Sequence, residues 1–275
     1  MYHFVIPVLN ERDNMEPLFS DLAPRARALG AHVILVDDGS TDGTVEIARD
    51  YADGLDLTVV THPENRGLGS AIDSGIRKAL EVAGDDDGII TIEGDNTADL
   101  DDLPAMIASF EAEHDLVMGS FFMPGGQMLG VKRWRVVTSK VVSGLFRVLG
   151  GLREFHQVTP LYRIYRASIL RKAAVAYGND LICETGFAVN VELLVKLREV
   201  DARIDELPTT IDWNRRQGES KLPLKATVVA YLRLLGSLSA GRMHAPKLHQ
   251  GPVPGPVPAT GTAADLPVAA PTHFE

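Results

Sequence analysis

The chain has 275 residues, 45% of them hydrophobic and 23% charged, so it can bury a full core as a soluble globular protein. Its formal net charge of −10 argues against a general nucleic-acid binder, which needs a basic face. The single cysteine, Cys183, excludes an intrachain disulfide framework and fits a reducing compartment. We expect no secretory signal, because the first residues run directly into a predicted strand, and no membrane span, because no apolar segment is long enough.

The first half of the chain alternates short apolar runs with segments of helical spacing. The apolar runs predict strands at residues 4–9, 32–36, 57–61 and 88–92. Helices are predicted between them, and we expect Pro24 to kink or shorten the first one. This alternation is typical of βαβ units. It predicts an α/β fold with a mainly parallel sheet flanked by helices.

The second half of the chain is less regular. It predicts strands near residues 115–119, 162–165 and 204–207, and helices at 134–149, 187–200 and 222–238. The helices 134–149 and 222–238 are apolar with a few basic residues. That composition fits helices lying in a membrane interface. The competing interpretation is that both helices are buried in the core.

The composition of the chain changes after Met243. Seven of the sixteen prolines lie in the last 32 residues, with Gly, Ala and Thr between them. Such a segment buries too little apolar surface to fold. We therefore predict one folded domain over residues 1–243 and a disordered, proline-rich tail over residues 244–275.

Polar residues follow three of the predicted strands, at the point where each strand ends. They are Asn10–Glu11, Asp37–Asp38–Gly39 and Glu93–Gly94–Asp95. In open parallel sheets, ligands bind beyond the carboxyl ends of the strands. Each cluster alone also fits an ordinary polar turn. Together, three clusters that all carry carboxylates predict a ligand site at this edge.

Glu93 and Asp95 are the strongest candidates for a metal site. Residues two apart in an extended strand lie on the same side, so the two carboxylates would face one point just past the strand. Hard divalent cations, Mg²⁺ or Mn²⁺, bind one or two protein carboxylates together with substrate phosphates. The alternative interpretation is a solvated acidic turn.

Several segments together resemble glycosyltransferase family 2, and within it the dolichol-phosphate (polyprenyl-phosphate) mannosyltransferase group. The resemblance covers about residues 2–239. It depends on five motifs in this order: VIPVLNE from Val5, VDDGSTDGT from Val36, NRGLG from Asn65, YRIYR from Tyr162 and GESK from Gly218. Each motif is weak alone, but their order and spacing are specific. The implied fold is the GT-A type, with a nucleotide-sugar half at about residues 1–120 and an acceptor half at about 121–243.

The resemblance also implies roles for individual residues. Residues around the nucleotide would be Pro7, Asn10 and Glu11, with Asp38 on the base or ribose. Glu93 and Asp95 take the positions of the family's D-x-D metal motif, with Glu in place of the commoner Asp. They would bind both the nucleotide sugar and the metal, and Asp95 would be catalytic.

The basic residues of the second half take phosphate-binding roles in the same resemblance. Arg135 and Ser139 match an R-x-x-x-S pair near the phosphates, and Arg215 and Lys221 belong to a segment that faces the acceptor phosphate. By this comparison Arg135, Arg215 and Lys221 would be catalytic, and Ser139 would contact the acceptor phosphate. Two positions depart from the family pattern, where Phe121 replaces an Arg and Gln157 replaces an Asp.

The implied activity is a metal-dependent, inverting transfer of a sugar to a polyprenyl phosphate. The donor expected first is GDP-mannose, with a UDP-sugar or a non-lipid acceptor as alternatives. The acceptor phosphate is already anionic, so no catalytic base is expected. The enzyme would lie in the cytoplasm, at the inner face of the membrane, with a membrane-protein partner possible and no nucleic acid. A non-catalytic nucleotide-sugar-binding scaffold stays open, because Phe121 and Gln157 favour it.

Overall fold

The computed structural model describes residues 1–218 and 224–240. The strands are β1 Tyr2–Val8, β2 His32–Asp37, β3 Asp56–Thr61, β4 Gly88–Thr91, β5 Leu116–Ser120, β6 Gln127–Leu129, β7 Arg163–Arg166, β8 Ile204–Pro208 and β9 Thr210–Asp212. The α-helices are α1 Arg12–Leu29, α2 Thr44–Tyr51, α3 Leu68–Val82, α4 Leu103–Glu111, α5 Arg133–Leu149, α6 Ala167–Tyr177, α7 Val189–Glu199 and α8 Leu224–Ser239.

Seven strands form one sheet in the order β3-β2-β1-β4-β7-β5-β8. All neighbouring pairs are parallel except those of β7, which runs antiparallel to both β4 and β5. The short strands β6 and β9 form a separate parallel pair. β1 lies between β2 and β4, so the chain order reverses beside β1. This is the position where an open α/β sheet forms its ligand crevice.

The core lies on both faces of the sheet, as the continuous apolar strands require. Phe4 and Ile6 of β1 pack toward α1, α2 and α4, whereas Val5 between them packs toward α3, α6 and α7. Successive residues of a strand point to opposite faces, so one apolar strand supports both layers. The mainly parallel sheet flanked by helices is therefore confirmed.

Pro24 does not shorten the first helix, contrary to the sequence expectation. α1 continues from Arg12 to Leu29 with both Pro17 and Pro24 inside it. Pro24 lacks an N–H, so the carbonyl of Ser20 loses its helical partner. Both residues are exposed, and water can satisfy that carbonyl.

Gly75 gives α3 its close contact with the sheet. A Cβ atom at this position would lie 2.3 Å from Cγ1 of Val5 and 2.9 Å from Cγ2 of Val36. We predict that Gly75→Ala lowers the free energy of unfolding by about 1–3 kcal/mol, because it overpacks a fully buried contact. Gly144→Ala is the matched control, since no atom lies within 4 Å of its added Cβ apart from those of its chain neighbours and its own helix backbone. Urea unfolding measures both variants, and equal stabilities would contradict the prediction.

The helices α5 and α8 pack against each other at one side of the domain and expose apolar side chains. On α5, Val137, Val141 and Val148 are 60%, 55% and 61% exposed, and on α8, Leu232 is 57% exposed. The interpretation of both helices as wholly buried is therefore wrong, because only part of each, such as Phe146 and Leu234, lies in the core. Across residues 1–218 and 224–240, no helix has the length and hydropathy needed to cross a membrane.

Lys221 and the tail 244–275 lie outside the described residues, so their assignments stay predictions. The division into a nucleotide-sugar half and an acceptor half also stays a prediction.

Candidate functional site

Two adjoining cavities open at the carboxyl ends of β1, β2 and β4. The main cleft has a volume of about 480 Å³, and its lining includes Pro7, Glu11, Asp38, Glu93, Asp95 and Arg216. The apolar cavity has a volume of about 230 Å³, and its lining includes Glu93, Asp95, Phe121, Arg135, Ser139, Trp213 and Arg216. Together they are in the size range of sites for nucleotide-sized ligands. Glu93, Asp95 and Arg216 line both cavities, so they mark the boundary between them.

The segment after β4 sets the positions of the two acidic residues. The sequence suggested that Glu93 and Asp95 lie at alternate positions of an extended strand. In the structure β4 ends at Thr91, so both residues lie beyond the strand. Gly94 allows the segment to pack on β1, since a Cβ there would lie 2.5 Å from Cγ1 of Val8. Oδ1 of Asp95 accepts hydrogen bonds from the backbone N–H and the hydroxyl of Thr97, at 3.2 and 2.7 Å.

The acidic pair has the character of a cation site. Burial, followed by the charge of Asp95, raises the pKa of Glu93 to about 7. A bound divalent cation would offset the repulsion between these two carboxylates. Two carboxylates suit Mg²⁺ or Mn²⁺ when substrate phosphates complete the coordination. Among the described residues no group of three His, Cys, Asp or Glu side chains could hold a metal, so water or substrate phosphates would supply the other ligands beside these two carboxylates.

The raised pKa of Glu93 predicts a pH-dependent affinity for the cation. Below pH 7, Mn²⁺ must displace a proton from Glu93, so its affinity should fall about tenfold per pH unit until protonation of Asp95 intervenes. Without metal, the same pKa shift makes the folded protein less stable as the pH rises. The charged carboxylate is disfavoured in the fold, so the stability contribution of Glu93 decreases as the pH rises from its ordinary pKa of 4.5 to about 7.

Calorimetric titration of Mn²⁺ between pH 5.5 and 8 measures this dependence. Glu93→Gln should bind weakly with a nearly flat profile over pH 6–8. A wild-type affinity that does not change with pH would contradict the predicted linkage.

Arg216 is the cation nearest the acidic pair in the described structure. Its Nη1 donates a hydrogen bond to Oδ2 of Asp95, and its Nη2 lies 3.3 Å from Oε1 of Glu11. The Arg216 side chain is only 9% exposed, so this ion pair is shielded from water. Arg216 was not among the predicted site residues, although it stands beside Arg215 in the sequence.

Arg215 does not lie with the other predicted site residues. Its Nη2 donates to Oδ2 of Asp21 at 2.7 Å, and its Nη1 lies 3.6 Å from Oδ1 of Asp99. It lines neither the main cleft nor the apolar cavity. Two carboxylates of the domain therefore hold the Arg215 side chain away from both cavities, and its predicted role at the acceptor phosphate stays a prediction.

Asp38 lines the main cleft, but its carboxylate already accepts hydrogen bonds from the protein's own backbone. Its Oδ1 accepts from the backbone N–H of Arg66 at 2.9 Å and contacts Nδ1 of His62 at 2.7 Å, and its Oδ2 accepts from Gly67 N at 2.7 Å. Asp38 therefore fixes the turn before α3. Its predicted contact with the base or ribose stays a prediction.

Asn10 supports the rim of the cleft and does not line it. It adopts a left-handed backbone with φ of 51°, and its Oδ1 accepts from the N–H of Thr41 at 2.8 Å. This bond joins the loop after β1 to the loop after β2. Pro7 and Glu11 on either side of it do line the cleft.

Arg135 and Ser139 both lie on the wall of the apolar cavity. The guanidinium carbon of Arg135 lies 4.9 Å from the ring centroid of Trp134 and 4.6 Å from that of Trp213. Within the described residues no carboxylate forms an ion pair with Arg135. Burial and then the charge of Arg216 lower its pKa, so the two arginines form a positive region that an anion would stabilise.

The two departures from the family pattern contact each other. The backbone N–H of Phe121 donates to Oε1 of Gln157 at 3.1 Å. Gln157 is fully buried and its own N–H donates to Glu206 at 2.7 Å. The buried Gln157 side chain therefore fixes the backbone position of Phe121. Phe121 itself lines the apolar cavity, as Glu93 does.

A loop between α6 and α7 forms another wall of the main cleft. Glu184, Thr185, Gly186 and Phe187 line it. No motif in the sequence marked these residues, since they carry neither a charge cluster nor a turn signature. We call residues 181–187 the cleft loop.

Comparison with known proteins identifies the family. The family model for glycosyl transferase family 2 matches residues 3–173. The fold is similar to the crystal structure of glucosyl-3-phosphoglycerate synthase from Mycobacterium tuberculosis in complex with Mn²⁺, UDP and phosphoglyceric acid, with a TM-score of 0.62 and 19% identity over 90% of this chain and 80% of that one. The predicted GT-A fold is confirmed.

Two relatives with assigned names extend the comparison. A polyprenol monophosphomannose synthase of Mycolicibacterium smegmatis is 29% identical over 79% of this chain and 79% of its own length. An undecaprenyl-phosphate mannosyltransferase of Micrococcus luteus is 31% identical over 79% of this chain and 86% of its own length. With the family model covering more than half of the sequence, the chain belongs to glycosyl transferase family 2.

Proposed function

We propose that this glycosyltransferase moves a sugar from a nucleotide sugar to a polyprenyl phosphate and inverts the anomeric centre. The observation that carries the proposal is the position of Glu93 and Asp95, between the main cleft and the apolar cavity. A lipid phosphate joins an anionic head to an apolar chain, and this site offers a matching change from polar to apolar lining. The names of the relatives agree with such an acceptor.

The apolar cavity continues toward the surface of the domain. A groove between α5 and α8 shares Thr138, Val142, Val228 and Tyr231 with it. The remaining lining of the groove is mostly apolar and includes exposed Val141 and Leu232. This path would carry the prenyl chain from the phosphate to the membrane, so the same groove serves the acceptor and the membrane contact.

The donor would bind in the main cleft, with Pro7, Glu11 and Asp38 around the nucleotide. We propose GDP-mannose as the first donor to test, since both relatives are named for mannose transfer. A UDP-sugar is the alternative. Glu93 and Asp95 would hold Mg²⁺ or Mn²⁺, which would stabilise the negative charge of the departing diphosphate as a Lewis acid.

The protein's own cations would act on the phosphates of donor and acceptor. We assign this role to Arg216 and Arg135, which would donate charge-assisted hydrogen bonds, with Ser139 beside them. Arg215 would stay outside the phosphate site, in its ion pairs with Asp21 and Asp99. The acceptor phosphate is anionic near neutral pH and can attack the anomeric carbon without a general base. In-line attack on an α-linked donor gives a β-linked product.

The identity of the acceptor is tested by offering two acceptors with each donor in turn. One is undecaprenyl phosphate in vesicles and the other is 3-phosphoglycerate in solution. The proposal expects a glycosylated lipid phosphate in mass spectra, with a β linkage by NMR. Transfer to the soluble acceptor alone would replace the proposal with the non-lipid alternative.

The exposed face of α5 and α8 predicts attachment to a membrane surface. We expect the double variant Val141→Asp/Leu232→Asp to lose at least tenfold in binding to vesicles of phosphatidylglycerol and phosphatidylcholine, because it places charge in the apolar contact. Val175→Asp is a matched control, since Val175 is 49% exposed on α6 and lies outside the groove. Co-sedimentation measures binding, and equal loss in both variants would contradict a specific contact through α5 and α8.

A further inference from the structure

The cleft loop, residues 181–187, contains no helix or strand. It nevertheless supplies four of the residues that line the main cleft. A loop without regular backbone hydrogen bonds needs other partners to hold one shape. Two helices on opposite sides of the loop provide these partners in the structure.

Glu192 of α7 binds the backbone of the loop. Its carboxylate accepts hydrogen bonds from Cys183 N at 3.0 Å and from Glu184 N at 2.9 Å. Glu184 itself lines the main cleft. A buried carboxylate that accepts hydrogen bonds from two consecutive backbone N–H groups fixes the orientation of both peptide groups. These peptide groups lead directly into the residues that line the cleft.

Lys196 completes this arrangement one helical turn further along α7. Its Nζ lies 2.6 Å from Oε1 of Glu192 and donates to the carbonyls of Asp180 and Leu181. The same Nζ lies 5.2 Å from the ring centroid of Tyr177. Lys196 therefore binds the start of the loop while it neutralises the carboxylate that binds the middle.

Glu192 and Lys196 are almost completely buried, at 2% and 3% exposure. Burial of two charges is costly, and an apolar pair of similar volume would often be equally stable or more so. The pair makes five hydrogen bonds to the backbone of residues 180–184. Glu192 accepts three, two of them from Cys183 N, and Lys196 donates two. Its specific contribution is to the shape of the loop.

The other side of the cleft loop rests on the first turn of α3. Gly69 N donates to the carbonyl of Thr185 at 2.9 Å. A Cβ on Gly69 would lie 1.8 Å from the carbonyl oxygen of Glu184, and one on Gly67 would lie 2.4 Å from that of Thr185. The loop is thus held between α3 and α7, with no room for displacement toward α3.

We propose that Glu192 and Lys196 are positioning residues that set the shape of the nucleotide-sugar cleft by holding the cleft loop. The proposal rests on the proposed function for the identity of the ligand. The pair lines neither cavity and would not touch the substrate. Its loss should therefore weaken donor binding more than it slows the chemical step.

The test compares Glu192→Gln, Lys196→Met and the double variant Glu192→Gln/Lys196→Met with the wild type. Each single variant leaves one buried charge without its partner, and the double variant removes both charges. We expect the double variant to be more stable than either single variant. All three should bind Mn²⁺ with GDP or UDP at least tenfold more weakly than the wild type, at a temperature where each is folded. KM for the donor should rise at least tenfold while kcat stays within threefold.

Cys183 reports on the loop independently of catalysis, since it is the only cysteine of the chain and its side chain is exposed. Because Glu192 and Lys196 also contact Cys183, its reaction rate with a chromogenic disulfide reagent is compared per thiolate, from the pH dependence of the rate in each protein. That rate should be at least fivefold faster in the double variant than in the wild type. Nucleotide with Mn²⁺ should slow the reaction in the wild type and have little effect in the double variant.

Arg166→Met is the control for a loss of stability alone. Arg166 is a largely buried cation paired with Asp115 at 3.5 Å, and it lines neither cavity. It should lower stability and leave nucleotide affinity unchanged. If the double variant binds nucleotide within twofold of the wild type, the positioning role is overturned. If the wild type binds neither nucleotide, the proposed function fails as well, so the two failures are distinguishable.

Discussion

Replacing Asp95 with asparagine is expected to lower kcat for sugar transfer about a thousandfold while leaving the fold intact. Asparagine has the same shape and can still accept the two hydrogen bonds from Thr97. It lacks the negative charge that would help to hold the proposed divalent cation between the two cavities. Steady-state turnover at saturating donor and Mn²⁺ measures the effect, and thermal unfolding checks the fold.

Asp99→Asn is the matched control for this variant. Asp99 follows the same segment, pairs with Arg215 at 3.6 Å and lines neither cavity. Its activity should stay within about threefold of the wild type, because only a partly exposed ion pair is lost. Asp95→Asn with more than a tenth of wild-type activity would remove the metal site from the account.

Arg216→Met and Arg215→Met are expected to differ strongly despite their adjacency. Arg216→Met should reduce kcat/KM about a hundredfold, because it removes the buried cation that lies beside Asp95 and would bind the substrate phosphates. Arg215→Met should cost at most about 1 kcal/mol of stability and less than threefold in activity, since its partners Asp21 and Asp99 lie outside the cavities.

Kinetics of both variants with the same donor preparation provide the measurement. A large loss in Arg215→Met together with normal activity in Arg216→Met would reverse the assignment. It would then support the role that the family resemblance gives to Arg215.

Much of the fold follows from local patterns in the sequence. The strands β1 to β4 are apolar runs bounded by turn residues, and each helix between them has a periodic apolar face. α6 was not predicted, although Ile169, Leu170, Ala173 and Ala176 follow a helical period. The antiparallel direction of β7 could not be predicted, because its four residues carry no signal for strand direction. The pairing of β6 with β9 joins two three-residue strands that are far apart in sequence.

The candidate site was predictable where acidic residues directly follow predicted strands. Glu11, Asp38, Glu93 and Asp95 follow predicted strands, and the structure brings all four to the main cleft. The choice between Arg215 and Arg216 depends on which side chain the tertiary fold turns toward Asp95, and sequence spacing cannot separate neighbours. The cleft loop was missed for a similar reason, since its contribution comes from backbone held by Glu192 and Lys196.

The most direct test of the central claim is transfer of a labelled sugar into the organic phase. Purified protein is mixed with polyprenyl phosphate in vesicles, Mn²⁺ and labelled GDP-mannose, UDP-glucose or UDP-N-acetylglucosamine in separate tubes. The account predicts label in the lipid phase from one donor, GDP-mannose first, and loss of that label with EDTA. No lipid-phase label from any donor, from folded protein that binds nucleotide, would contradict a polyprenyl phosphate acceptor.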